Sequence, residues 1–289
     1  MPTKIVLTVL LLALAGSCST RPANPGESFE LRRRAETRLA QGNAQADRGE
    51  PEAALNFLDE AFRLAVLADD SGLRIRAGLS RGNVLFSLGL AEEAAAALNA
   101  AAEEAAFAGN RPLLALSRFH IARQQLLGGQ AAPQTVIESL APEMRELSEP
   151  LHVAFGWTVI ALAEAEAGLW KAAEASAGKS LAIHLKGGNF ELAALDWFVI
   201  ASVRSRSGRP NEALQALLRS MELDRRVENS WGLASSWRAT GDVHRRTGNF
   251  PAARAAYLRA AEIFAALDNE QALQDVRDRL AALPEGSSS

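Results

Sequence analysis

The sequence predicts an all-α superhelix of stacked helical hairpins, and three observations carry that prediction. Glycines recur at a fixed interval: Gly49, Gly89, Gly129, Gly168, Gly208 and Gly248 stand 40, 40, 39, 40 and 40 residues apart. Small residues keep step with them. Seven places before each glycine are Gly42, Gly82, Ala122, Ala161, Ala201 and Gly241, and twelve places after are Ala61, Ala101, Ala141, Ser180, Ser220 and Ala260. Five places after stand Ala54, Ala94, Ala173, Ala213 and Ala253, with only Gln134 out of step. Composition agrees, because alanine, glycine and serine make up roughly a third of the chain and only one tyrosine is present, a balance that favours close-packed helices over strands. A unit of this length, with small side chains where two helices must meet, buries its apolar face only against its neighbours.

The elements follow in order. Lys4 is a minimal basic region, Ile5 to Ala15 is apolar, and Ala15-Gly16-Ser17 puts small residues directly before Cys18, the one cysteine. This is the layout of a signal peptide over residues 1–17, and the apolar run is too short for a bilayer that needs about 20 helical residues. Leu14-Ala15-Gly16-Ser17-Cys18 resembles the bacterial lipobox. That resemblance implies that Cys18 takes a diacylglycerol and becomes the acylated N-terminus, a membrane anchor without a spanning helix. Ser19, in place of the aspartate that retains such proteins at the inner membrane, points to the outer membrane. Residues 18–30, with two prolines and a glycine, are expected to form a flexible tether between lipid and folded body.

Residues 31–267 hold the six hairpins. Ser71, Asn110, Ser148, Asn189, Ser230 and Asn269 precede apolar-periodic stretches, where their side chains can accept from first-turn amides. Pro133, Pro142 and Pro150 crowd the second helix of the third hairpin, so a short or kinked helix is expected there. Leu273, Val276 and Leu280 make a single apolar stripe, the form of a capping helix over residues 268–283. Residues 284–289 are expected to be disordered.

The last hairpin carries a family resemblance. Trp237 stands four places before Gly241, Gly248 makes the turn, and Ala253 stands four before Tyr257, while Trp157 and Trp197 hold the equivalent place in earlier hairpins. These residues resemble the tetratricopeptide repeat, over about Leu31 to Leu267. The resemblance implies a right-handed superhelix (α-solenoid) whose first helices line a concave groove where peptides bind. Offsets of ten, six and three before each glycine share one helix face. Projected into the groove, they nominate Asn43, Asn83, Phe86, Phe119, Arg123, Phe198, Arg238 and Arg245 as partner-binding residues. Asn43 and Asn83 lie one repeat apart, and an amide offers both donor and acceptor to a peptide backbone. Between Arg204 and Arg259 there are eleven arginines against five acids, whereas Glu50 to Glu104 has four against ten. An acidic, partly apolar partner is therefore expected in the C-terminal half, with Arg238 and Arg245 fixing carboxylates and Phe198 taking an apolar side chain.

Other chemistries find no residues to rest on. A net charge of −3 gives no support for nucleic-acid binding, which needs a basic excess. His120, His152, His184 and His244 are spaced 32, 32 and 60 apart, without the i, i+4 pair of a helical metal site. Gly178-Lys179-Ser180 mimics the end of a phosphate loop, but Ala173 stands where its first glycine belongs. Trp157, Trp197 and Trp237, at identical repeat positions, read as packing residues. The expectation is a cell-envelope lipoprotein scaffold that binds protein or peptide partners, is not an enzyme, and uses no cofactor or metal. The alternative is a transport accessory that holds a small molecule and hands it to a membrane partner, and a closed apolar cavity near Phe119, Phe155 and Phe198 would favour it.

Overall fold

The computed structural model describes residues 25–284, which form thirteen α-helices and one 3-10 turn. Five hairpins pair consecutive helices of the array: α1 (Pro25–Asp47) with α2 (Pro51–Leu67), α3 (Ser71–Ser87) with α4 (Ala91–Phe107), α7 (Pro150–Glu166) with α8 (Trp170–Lys186), α9 (Phe190–Arg206) with α10 (Pro210–Arg226), and α11 (Ser230–Arg246) with α12 (Phe250–Ala266). The third hairpin is α5 (Arg111–Leu127) with the short α6 (Pro133–Leu140), and α13 (Glu270–Ala281) caps the array. The fold is thus the all-α superhelix of six hairpins and a cap that the glycine period predicts. Its first helix begins at Pro25, inside the stretch expected to be tether. Cys18 and the signal-like segment lie outside the described residues, as do residues 285–289.

Local geometry explains the period. All helices from α2 to α12 except α6 are 17 residues long, and a three-residue turn after each, except five residues after α5, gives half a repeat. Each hairpin turn needs one residue in the left-handed region, and the six period-setting glycines supply it with φ between 67° and 80°. The turns between hairpins and before the cap, except the one after the third hairpin, make the same demand, met by Gly109 and Gly188 but also by Asp69, Glu228 and Asp268 at φ of 49°, 57° and 53°. The small residues seven places before the hairpin glycines have a similar cause. A Cβ on Gly42 or Gly82 would come within 2.6 Å of a side-chain carbon of Leu58 or Leu98, both fully buried.

Helix starts depart from expectation by a residue or two. Asn110 and Asn269 cap as foreseen, accepting from Leu113 N and Ala272 N. Asp70 and Asn229 do the capping in place of Ser71 and Ser230, α7 starts at Pro150 with no side-chain cap, and Asn189 caps without a side-chain bond. In the third hairpin, Pro133 opens an eight-residue helix and a 3-10 turn over Glu143–Arg145 follows. Leu147 and Met144 then pack against Gly156 of α7, filling the space a full helix would occupy. Leu273 and Val276 of the cap are buried with Phe264.

The array also closes on itself. Asn269 Nδ2, at the start of the cap, donates to the Gly49 carbonyl at 3.2 Å, across 220 residues of sequence. The indole of Trp231 lies so close to Gly49 that a Cβ there would stand 2.8 Å from a ring carbon. The tip of the first hairpin therefore rests against α11 and the cap, making a narrow seam. Among the described residues, no helix is long and apolar enough to cross a membrane.

Candidate partner-binding groove

First helices form the inner wall, and their side chains reach one another across hairpins. Asn83 of α3 hydrogen-bonds Nδ1 of His120 on α5 at 3.0 Å, and the His120 ring stacks on Phe155 of α7 with centroids 4.3 Å apart. Burial, with Arg123 and then His152 nearby, pushes the His120 imidazole down to about 3, so it is neutral at physiological pH. Burial also lowers Arg123 below the ordinary arginine value. Arg123 is half-buried and is without a hydrogen-bonding or ion-pair partner among the described residues. A desolvated, uncompensated guanidinium beside neutral hydrogen-bonding groups favours a carboxylate or a line of backbone carbonyls.

The nominated residues divide. Asn83, Arg123 and half-buried Phe86 belong to this wall, and Asn43 is exposed one hairpin earlier. Phe119, however, is fully buried, as is Leu79 at the same offset. Ten places before the glycine, the helix in hairpins two and three has turned toward the core, so the inner face runs instead through His120 and Arg123. Arg238 is also committed: it pairs with Asp275 of the cap at 2.9 Å. Arg279 joins Asp275 to Asp242, and Tyr257 donates its hydroxyl to Asp242 at 2.7 Å. Arg245 is exposed, 4.0 Å from Asp242. The α11 arginine nearest the groove thus fastens the cap.

Phe198 lines a cavity of about 350 Å³ at the closing seam. Its apolar wall is Leu192, Leu195, Phe198 and Trp231, and three acids also face it: Asp47 from the end of α1, Glu191 from α9 and Asp224 from α10. Asp224 is 2% exposed, and burial with the nearby Glu191 charge raises its carboxyl to about 6. Asp47 sits at the rim, partly open to solvent, and the same two causes raise it to about 6. Phe119 and Phe155 share one core cluster, Phe155 also stacking on His120, and Phe198 stands apart from them here.

Two polar groups were not nominated from the sequence. His184 bonds Asp196 at 2.6 Å, with Thr158 and Ser180 beside them, deep between hairpins four and five. Asp224 stands sixteen places after Gly208, in register with the buried Ala65 and Ala105 of hairpins one and two. A charged residue where the first two hairpins have alanine was the available signal, and a weak one, because the other hairpins have Arg145, His184 and Phe264 there. The tryptophans pack as expected, half-buried against the hairpin cores, with Lys179 over Trp157 at 3.7 Å.

Residues 191–266 match the family described as Tetratricopeptide repeat. No protein of curated function matches the sequence. Among solved structures, the chain resembles a Rap protein complexed with competence and sporulation factor, with a TM-score of 0.60 and 14% identity over 86% of this chain and 74% of that one. It also resembles the apo form of RapI, with a TM-score of 0.59 and 12% identity over 91% of each chain. A third likeness is to the nearly identical TPR-like repeats of a putative kinesin light chain from Podosopora anserina, with a TM-score of 0.51 and 17% identity over 68% of this chain and 97% of that one. At these identities the likeness is one of fold.

Proposed function

We propose that this protein is a non-catalytic scaffold that binds an extended segment of a protein partner along its inner wall, held at the cell envelope by a lipid on Cys18. The observation that carries the binding reading is Arg123, a half-buried guanidinium near His120, lowered by burial and without a hydrogen-bonding or ion-pair partner among the described residues, on the same wall as Asn83 and Phe155. Leaving such a charge unsatisfied is costly unless a ligand completes it. The Rap neighbour was captured with a bound factor, which fits a fold that offers this surface. Acid preference moves accordingly: a partner carboxylate belongs at Arg123, not at Arg238, whose charge Asp275 already meets. The anchor rests on the lipobox-like residues before Cys18, and the outer membrane is the proposed address.

Crosslinking in the native envelope, followed by identification of the captured protein, tests the reading. Arg123→Ala should weaken binding of that protein by about 2 kcal/mol, roughly thirtyfold, whereas Arg254→Ala on the outer helix α12 should change it little. Equal losses would mean that the partner reads overall charge, and the groove assignment would fall. Cys18→Ala should leave the fold intact and release the protein from membranes. A Cys18→Ala chain that still takes up labelled fatty acid would remove the anchor.

A further inference from the structure

The geometry points to the seam cavity as a receptor for a single cationic side chain, a lysine or arginine of the bound partner, with Glu191 and Asp224 meeting its charge and Phe198 and Trp231 covering its methylenes. The inference rests on the groove-binding reading and adds a second, opposite chemistry to it: a carboxylate at Arg123 and a cation at the seam.

Four observations carry it. The cavity, about 350 Å³, is large enough for one long side chain but not for a folded element. Its walls are aromatic and aliphatic, which suits the stem of a lysine or arginine. Its acids are uncompensated: Asp47, Glu191 and Asp224 make no ion pair among the described residues, although the neighbouring Asp242 and Asp275 are both held by arginine. Finally, Asp224 is almost wholly buried and only half satisfied. Its Oδ1 accepts from Asn229 Nδ2 at 3.0 Å, while Oδ2 makes no hydrogen bond among the described residues. Ser220 lies beside the carboxyl and helps hold it down, but its hydroxyl proton goes to the Ala194 carbonyl at 2.9 Å. A carboxylate oxygen of a buried residue, open to the cavity and bonded to no donor among the described residues, is the complement of an ammonium or guanidinium group. Arg238, the cation at the edge of the cavity, is turned to the cap by Asp275.

Raised carboxyls add a signature. Asp47 and Asp224 both titrate near 6 without ligand, and a bound cation favours their ionised forms. Cation affinity should therefore rise as pH goes from 5 to 7.5. Other charged groups facing the seam are Arg48, Glu50 and Glu52 from the first hairpin, Glu228 after α10, and Asp268, Glu270, Asp275 and Arg279 around the cap.

The test uses the soluble full array and three capped tripeptides, acetyl-Ala-X-Ala-amide, with X as arginine, its uncharged isostere citrulline, or glutamate. The readout is the indole N–H of Trp231 in a ¹H–¹⁵N spectrum, assigned by its loss in Trp231→Phe. The arginine peptide should shift this signal with an affinity at least tenfold tighter than citrulline, and glutamate should not shift it. Glu191→Gln, at an exposed position, should weaken arginine binding at least fivefold, and Asp224→Asn should do the same. Equal binding of arginine and citrulline would overturn the proposal, as would unchanged binding in both variants or an unmoved Trp231 signal. Arg123→Ala should leave this titration unaltered, so loss of the native partner at Arg123 and loss of the cation at Trp231 are separately visible.

Discussion

Asp224 shows how one residue can work against the fold that holds it. Its carboxyl titrates near 6 in the folded chain against an ordinary value of 3.8, so the folded state holds a proton that the unfolded state has released between those values. The resulting stability is fully present below about 3.8 and is lost as pH rises through 6. Above 6 the folded chain carries a buried, half-satisfied anion. Asp224→Asn removes that cost and keeps an acceptor for Asn229, so its thermal midpoint at pH 7.5 should exceed that of the native chain by about 2 to 4 °C, the shift expected for about 1 kcal/mol in an array of this size. The gain should vanish at pH 4. A lower midpoint at both pH values would show that the carboxylate is kept for stability and not for a ligand. Phe119 and Arg238 teach a related lesson. Both occupy a helix offset that spacing alone places on the inner face, but burial turned one inward and Asp275 captured the other. Side-chain identity in the sequence does not reveal which neighbour will claim it.

Among elements, the turns divide what was legible from what was not. Every hairpin turn has a glycine at its left-handed position, and that regularity made the repeat visible. The alternate turns, except the one after the third hairpin, have the same conformation, yet Asp69, Glu228 and Asp268 conceal it because they are not glycine. An L-residue in that region costs roughly 1 to 2 kcal/mol. Glu228→Gly should therefore raise the urea midpoint, by up to about 1 kcal/mol at unchanged slope, while Gly248→Ala should lower it by a similar amount. A destabilising Glu228→Gly would mean that the glutamate side chain makes a contact worth more than the strain. The third hairpin was legible for a different reason. Proline cannot donate its backbone nitrogen, so three prolines in eighteen residues left room only for a short helix and a 3-10 turn.

For the whole molecule, the class of fold followed from the period, but the seam did not. Contact between Gly49 and Asn269 depends on the rotation accumulated over six hairpins, and no local residue pattern records that sum. The seam cavity was hidden with it, because Asp47 joins Glu191 and Asp224 of the fifth hairpin only when the ends meet. The consequence concerns how the protein comes apart. In an open row of units the two terminal ones have a single neighbour each, so they fray first and independently. Here the first hairpin and the cap lean on each other, which turns the row into a loop with no true end unit. Their opening is then one event, as in a chain clasped at its links. In hydrogen exchange, the amides of α1 and α13 should open with a common free energy, and Asn269→Ala with Trp231→Ala should lower protection in both while α5 and α7 keep theirs. If α13 alone loosens, the clasp bears no load and the two ends are merely adjacent.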